Sequence, residues 1–148
     1  MVLAPRSPRL VAVLAFEGVQ LLDVAGPVQT FASANEIDND SRGAPYRVVV
    51  VSRRGGAVRT SSGLPLVTRA AAGVAAKTRI DTLLIPGGSG VHAALKDSRL
   101  VGWVRGQGAA VRRIASVCTG AFLLAQPARH HPLEIVQAPA TKPSGDRS

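Results

Sequence analysis

Cys118 is the only cysteine in the 148-residue chain, and it sits in the stretch VRRIASVCTGAFLLAQ, Val111 to Gln126. Ile114 to Val117 reads as a buried strand and Thr119–Gly120 opens an apolar helix. A nucleophile on the tight turn between a strand and a helix is pushed out at the sheet edge. The helix start behind it carries partial positive charge, which favours thiolate over thiol. Ser116 and Gly120 are small enough for strand and helix to approach. The other reading is a buried, inert cysteine, and the stretch alone leaves both open.

Two more stretches bear on that choice. Asp23 falls in the first turn of a helix after the first strand, among apolar neighbours. It either complements the helix dipole or offers a carboxylate at the edge where ligands bind in open α/β sheets. Pro86-Gly87-Gly88-Ser89-Gly90 follows a strand and turns the chain with bare N–H groups. It lacks the Lys-Ser/Thr ending and the Gly-x-Gly-x-x-Gly spacing of phosphate cradles. An oxyanion-type turn and a plain strand-to-helix turn both remain open.

The elements that must position these residues read clearly in order. Leu10 to Phe16, Tyr46 to Ser52, Ile80 to Ile85 and Ile114 to Val117 are apolar runs without alternation, as in strands buried on both faces of a parallel sheet. A helix is expected from about Leu21 to Asn35, with Leu21, Val24, Val28 and Phe31 on one face and Pro27 removing a hydrogen bond from Asp23. Ala57 to Thr68 reads as a hairpin around Ser61-Ser62-Gly63, and Arg69 to Lys77 as a short helix. Val91 to Lys96 and Ser98 to Gln107 read as helices, the second capped by Ser98 and ended by Gly108. His92 reads as a surface helix residue and Trp103 as packing. The expected class is α/β.

Composition narrows the rest. Hydrophobic residues make up 46% but aromatics only 3%, so Val, Leu, Ile and Ala must build the core of one domain. The net charge of +9 comes mostly from scattered arginines, without aromatic interleaving or a basic helix, and reads as a solvated surface rather than a nucleic-acid face. A lone cysteine forms no intrachain disulfide, the apolar N-terminal run is too short and too soon followed by Glu17 and Asp23 for a signal peptide, and no run reaches membrane-spanning length. A soluble, cytoplasmic protein is expected, with no membrane partner. Residues 1–9 read as a leader, 10–126 as the domain and 127–148 as a poorly ordered tail that holds four of the ten prolines. His130–His131 have no further ligand cluster beside them, so no metal and no cofactor are expected.

The wording of Val11–Phe31 (VAVLAFEGVQLLDVAGPVQTF), Asp81–Gly90 (DTLLIPGGSG) and Ile114–Ala125 (IASVCTGAFLLA), in this order, resembles the ThiJ/PfpI family of the class I glutamine amidotransferase-like superfamily. The resemblance covers about Leu10 to Gln126. It implies a flavodoxin-like parallel sheet with helices on both faces, and a homodimer. It implies that Cys118 is the elbow nucleophile, that Asp23 hydrogen-bonds it, and that Gly88 and Thr119 offer backbone N–H groups to an oxyanion. The wording looks most like the sensing domain of AraC-type transcriptional regulators and like isonitrile hydratase-like enzymes. Thr119 replaces the histidine of the Cys-His dipeptide found in protease-like members. Ala138 stands where other members carry a histidine. PARHHPLEIVQ after Gln126 does not resemble the family, so the last strands are expected to be incomplete, by truncation or frameshift.

These readings imply a small-molecule ligand for a regulator's sensing half that lacks its helix-turn-helix domain and does not itself bind DNA. The alternatives are a cysteine-dependent hydratase or hydrolase of a small electrophile, a redox-sensing thiol, and a remnant without function.

Overall fold

A strand at the centre of a parallel sheet has no solvent face, so every position must be apolar. In the computed structural model, which describes residues 7–38 and 43–125, Leu10 to Leu14 meet that demand. They form β1 (Arg9–Leu14) and are at most 3% exposed. The remaining elements are α1 (Leu21–Ile37), β2 (Tyr46–Ser52), β3 (Gly56–Arg59), β4 (Pro65–Ala70), α2 (Ala71–Lys77), β5 (Thr82–Ile85), α3 (Val91–Lys96), α4 (Ser98–Ala110), β6 (Arg113–Ser116), a 3-10 turn at Cys118–Gly120 and α5 (Ala121–Ala125).

The six strands lie in the order β3-β4-β2-β1-β5-β6, parallel except for β3, which runs antiparallel to β4. β1 pairs with β2 on one side and β5 on the other. The chain therefore reverses its direction of travel across the sheet at β1, and a flavodoxin-like sheet opens its binding crevice beyond the carboxyl ends of the strands at such a point. Right-handed crossovers send α1, which steps from β1 to β2, to one face and α4, which steps from β5 to β6, to the other.

The expected strands, hairpin and helices are all present, with ends moved by a few residues. α1 continues through Pro27, and the Thr30 hydroxyl donates to the Gly26 carbonyl at 2.9 Å just beyond it. Asn35 closes the far end of α1 onto the sheet. Its amide donates to the Tyr46 carbonyl and accepts from the Tyr46 N–H, each at 2.9 Å, as a neighbouring strand would. Phe31 packs edge-on against Tyr46 with ring centres 4.8 Å apart. Two details differ from expectation. The cap of α4 is Asp97, whose carboxylate accepts from the Arg99 and Leu100 N–H groups at 3.1 Å each, and Ser98 is the first helical residue. A carboxylate takes two orphan N–H groups at once, and it meets Arg53 at 2.7 Å on its other oxygen. Gly108 does not stop α4, which runs on to Ala110. The expected tail from 127 onward lies outside the described residues.

At the amino ends of the strands one acid ties three strands together. The Asp81 N–H donates to the Leu10 carbonyl at 2.9 Å, and its own carbonyl accepts from Arg112 and Arg113 at 3.0 Å each. Its carboxylate takes the Arg112 guanidinium in a two-pronged pair, at 2.7 and 2.8 Å. That hydrogen-bonded pairing lowers the Asp81 carboxyl from its ordinary 3.8 to about 2. A carboxyl held lower in the folded state than in the unfolded chain stabilises the fold above the unfolded value, and that contribution is lost as pH falls from about 4 to about 2. Asp81→Asn should therefore lower the melting temperature at pH 7 and flatten its fall between pH 4 and pH 2. Thermal melts of both proteins across that range check this; parallel pH profiles would contradict it.

Candidate active site

Three loops meet at the carboxyl ends of β1, β5 and β6, and backbone hydrogen bonds lock them together. The Gln20 N–H donates to the Gly87 carbonyl at 2.8 Å, and the Gly90 N–H donates to the Gly18 carbonyl at 3.1 Å. The Val117 N–H donates to the Ile85 carbonyl at 2.9 Å, which carries the β5–β6 ladder to the last residue before the cysteine. The Gly120 N–H then folds back to the Val117 carbonyl at 3.1 Å. Four residues thus turn a strand into a helix.

That reversal falls on Cys118. Its φ is +54°, and it is the only non-glycine with positive φ among the described residues. A side chain there crowds the backbone, costing about 1–2 kcal/mol, so the conformation persists only where the surroundings impose it. Gly120 shows the imposition: a Cβ at this position would lie inside the Ile85 carbonyl oxygen and 2.7 Å from the Pro86 oxygen. The thiol is exposed at the turn. The inert, buried cysteine that the sequence left open is therefore not what the fold presents.

Asp23 reaches the same edge from the first turn of α1. Its Oδ2 accepts from the Gly87 N–H at 3.1 Å. Gly87 in turn lies against Thr119, whose backbone nitrogen would be 2.7 Å from a Cβ on Gly87. Asp23, Gly87 and Thr119 thus form one contiguous row. Among the described residues the carboxylate bonds this N–H, and no hydrogen bond joins it to Cys118. Gly88 adopts φ +133°, a conformation open to glycine, and aims its N–H at Thr119 Oγ1 at 3.1 Å. The Gly88 N–H expected to face an oxyanion is occupied by this hydroxyl. A ligand oxygen could take its place by displacing one neutral hydrogen bond, a change worth about 1 kcal/mol.

The Thr119 hydroxyl is the contributor that reading the chain in order missed. Its type carries no signal of the role, because the partner is thirty-one residues away. The β3–β4 hairpin is the second. The Gly18 N–H donates to the Arg59 carbonyl at 2.8 Å, the Ser61 N–H to the Val19 carbonyl at 2.9 Å, and the Ser61 hydroxyl to the Gln20 side chain at 3.0 Å. The hairpin therefore braces the β1–α1 loop from the side away from Cys118.

Two shallow cavities lie elsewhere, at the amino ends of the strands. One, of about 300 Å³, is lined by Thr78, Arg79, Ile80 and Ala110 among others, and one, of about 230 Å³, by Arg9, Arg79, Asp81 and Arg112 among others. Neither touches the row at Cys118. No cluster of three or more potential metal ligands occurs among the described residues, and no helix there is long and apolar enough to cross a membrane.

The turn geometry separates two substitutions. Cys118→Gly keeps the left-handed conformation without its strain and should raise stability by about 1 kcal/mol. Cys118→Val places a β-branched side chain there and should lower it by roughly 1–3 kcal/mol. Urea denaturation of the three proteins checks the ordering; a Val variant as stable as the Gly variant would contradict the backbone assignment.

The sequence profile of the DJ-1/PfpI family matches residues 9–130. An uncharacterised protein of the cpoL 5′ region of Streptomyces lividans is 39% identical over 119 residues, covering 79% of this chain and 78% of that protein. Isonitrile hydratase of Pseudomonas putida is 32% identical over 114 residues, covering 75% of this chain and 44% of the enzyme. The HTH-type transcriptional regulator Rv1931c of Mycobacterium tuberculosis is 47% identical over 47 residues, 32% of this chain and 18% of the regulator. Among solved structures, a ThiJ/PfpI family protein from Pseudomonas syringae superposes with a TM-score of 0.69 at 25% identity, over 83% of this chain and 47% of that one. An AraC family transcriptional regulator from Pseudomonas putida shares the fold, with a TM-score of 0.59 at 21% identity over 82% of this chain and 62% of that one. The chain spans less than half of the hydratase and of the Pseudomonas syringae protein. By sequence and by fold, the chain belongs to the DJ-1/PfpI family.

Proposed function

We propose that this chain is the ligand-sensing part of an AraC-type transcriptional regulator, and that the row Asp23–Gly87–Thr119 beside Cys118 receives a small molecule. The observation that carries this reading is the state of the polar groups. Asp23 is held on the Gly87 N–H and the Gly88 N–H on the Thr119 hydroxyl. A site whose acid and donor are already satisfied by neighbours is suited to exchange those bonds for a ligand's. It is less suited to turnover, which needs a proton carrier and free donors aimed at the reacting atom. The similarity to Rv1931c and to an AraC family fold supports the regulatory assignment. In this proposal the α/β domain takes the ligand and pairs with a second sensing domain, and DNA contact belongs to the helix-turn-helix domain of such a regulator.

A second reading has its own observation, the exposed Cys118 at φ +54°. Strain of this kind clusters at functional sites. In this reading the thiolate attacks the terminal carbon of an isonitrile, and the carbon gains a proton to give a thioimidate. Water adds to that carbon, the C–S bond breaks, and an N-substituted formamide leaves with the thiol restored. Asp23 would move the protons after leaving the Gly87 N–H, and the Gly88 and Thr119 N–H groups would receive the developing charge.

Cyclohexyl isonitrile separates the two. The sensing reading expects a rise in melting temperature with the compound that Asp23→Ala reduces, and no cyclohexylformamide above the level of Cys118→Ala in mass spectrometry. Formamide production that disappears in both Cys118→Ala and Asp23→Asn would overturn it in favour of the hydratase.

A further inference from the structure

Two aromatic rings stand on the helices that follow the Gly87–Gly90 and Cys118 turns, without a part in the row Asp23–Gly87–Thr119. Phe122 is the second residue of α5, one turn beyond Cys118, and His92 is the second residue of α3, just beyond the Gly87–Gly90 turn. Their ring centres are 6.3 Å apart, with an interplanar angle of 27°. Helical side chains lean toward the amino end of their helix. Phe122 therefore leans back over the turn that carries Cys118, and His92 over the turn that carries Gly88. The stacked pair bridges the first turns of α3 and α5.

Burial makes the pair unusual. Leu123 and Leu124, next to Phe122, are 0% and 8% exposed, so α5 turns its core face inward through them. Phe122 remains 52% exposed and His92 is exposed. Among the described residues, the other large exposed apolar side chains, Leu22, Ile37, Leu64 and Val67, stand on α1 and the β3–β4 hairpin. An aromatic face left in water beside an exposed nucleophile is a surface that a planar apolar group gains by covering.

We propose that Phe122, backed by His92, is the specificity wall of the Cys118 site, and selects small electrophiles that carry an uncharged aryl substituent. This rests on Cys118 being the reactive centre. Phe122 supplies the stacking face, and His92 fixes the ring against the gap between α3 and α5. Neither acts on the reacting atoms.

The single cysteine makes the test unambiguous. The rate of adduct formation at Cys118 is measured with N-benzylmaleimide and with N-methylmaleimide, each divided by the rate with free glutathione. Aromatic contacts of this kind correspond to about a two- to tenfold preference for the benzyl reagent in the unmodified protein. Phe122→Ala should abolish the preference, His92→Ala should reduce it, and Val67→Ala, on the outer hairpin, should leave it unchanged. A preference that survives Phe122→Ala, that is lost equally in Val67→Ala, or that is absent from the unmodified protein overturns the wall while leaving the reactive cysteine intact. Failure of Cys118 to react with either reagent overturns the reactive centre itself, and the wall with it.

Discussion

The contact on which the site depends is the one between Gly120 and the Ile85 carbonyl. No side chain fits there, because the backbone of the turn after β6 lies directly on the end of β5. The same carbonyl accepts the Val117 N–H, so its position is fixed by the sheet. Residue 117 is held to β5, residue 120 is pressed against it, and residue 118 between them takes the left-handed conformation. The exposure of the thiol follows from this, and so does the lie of Thr119, whose hydroxyl then meets the Gly88 N–H. A backbone approach fixed by a sheet thus determines the chemistry at its edge.

The two ends of the strands divide the work. At the amino ends, Asp81 and Arg112 form an ion pair that joins β5 to β6 where the chain enters both. Hydrogen bonds from the backbone of the same residue reach β1 and β6. At the carboxyl ends, among the described residues, loops rather than ion pairs hold the structure, through N–H groups that point at neighbouring loops. The exception is Arg53 with Asp97, which anchors the end of β2 to the junction of α3 and α4.

Much of this was legible in the sequence. Strands buried on both faces are uninterrupted apolar runs, so Tyr46 to Ser52 matches β2 residue for residue. The strand–cysteine–helix order is a local signal and places Cys118 correctly at the sheet edge. What was not legible depends on pairs distant in sequence. The Asp23–Gly87 bond spans sixty-four residues, and the Gly88–Thr119 bond thirty-one. Residue types at each end admit many partners, and the resemblance to the family suggested an Asp23–Cys118 bond and a free Gly88 N–H in their place. Asp97 and Ser98 are both good N-cap residues one position apart, so residue type alone does not separate them. Gly108 resembles a helix stop, but α4 also carries Gly102 and Gly106, and its packing against the core through Leu100 and Val104 holds it helical past all three.

The central claim is that the fold holds Cys118 out at the sheet edge as an accessible thiol. The most direct measurement is the rate of its alkylation by iodoacetamide in the native protein and in the same protein unfolded in guanidinium chloride, each corrected by a free thiol in the same solution. A native rate equal to or above the unfolded rate is the expected result. Protection of the native thiol by a factor of ten or more would mean that the turn buries the side chain, and would contradict the account.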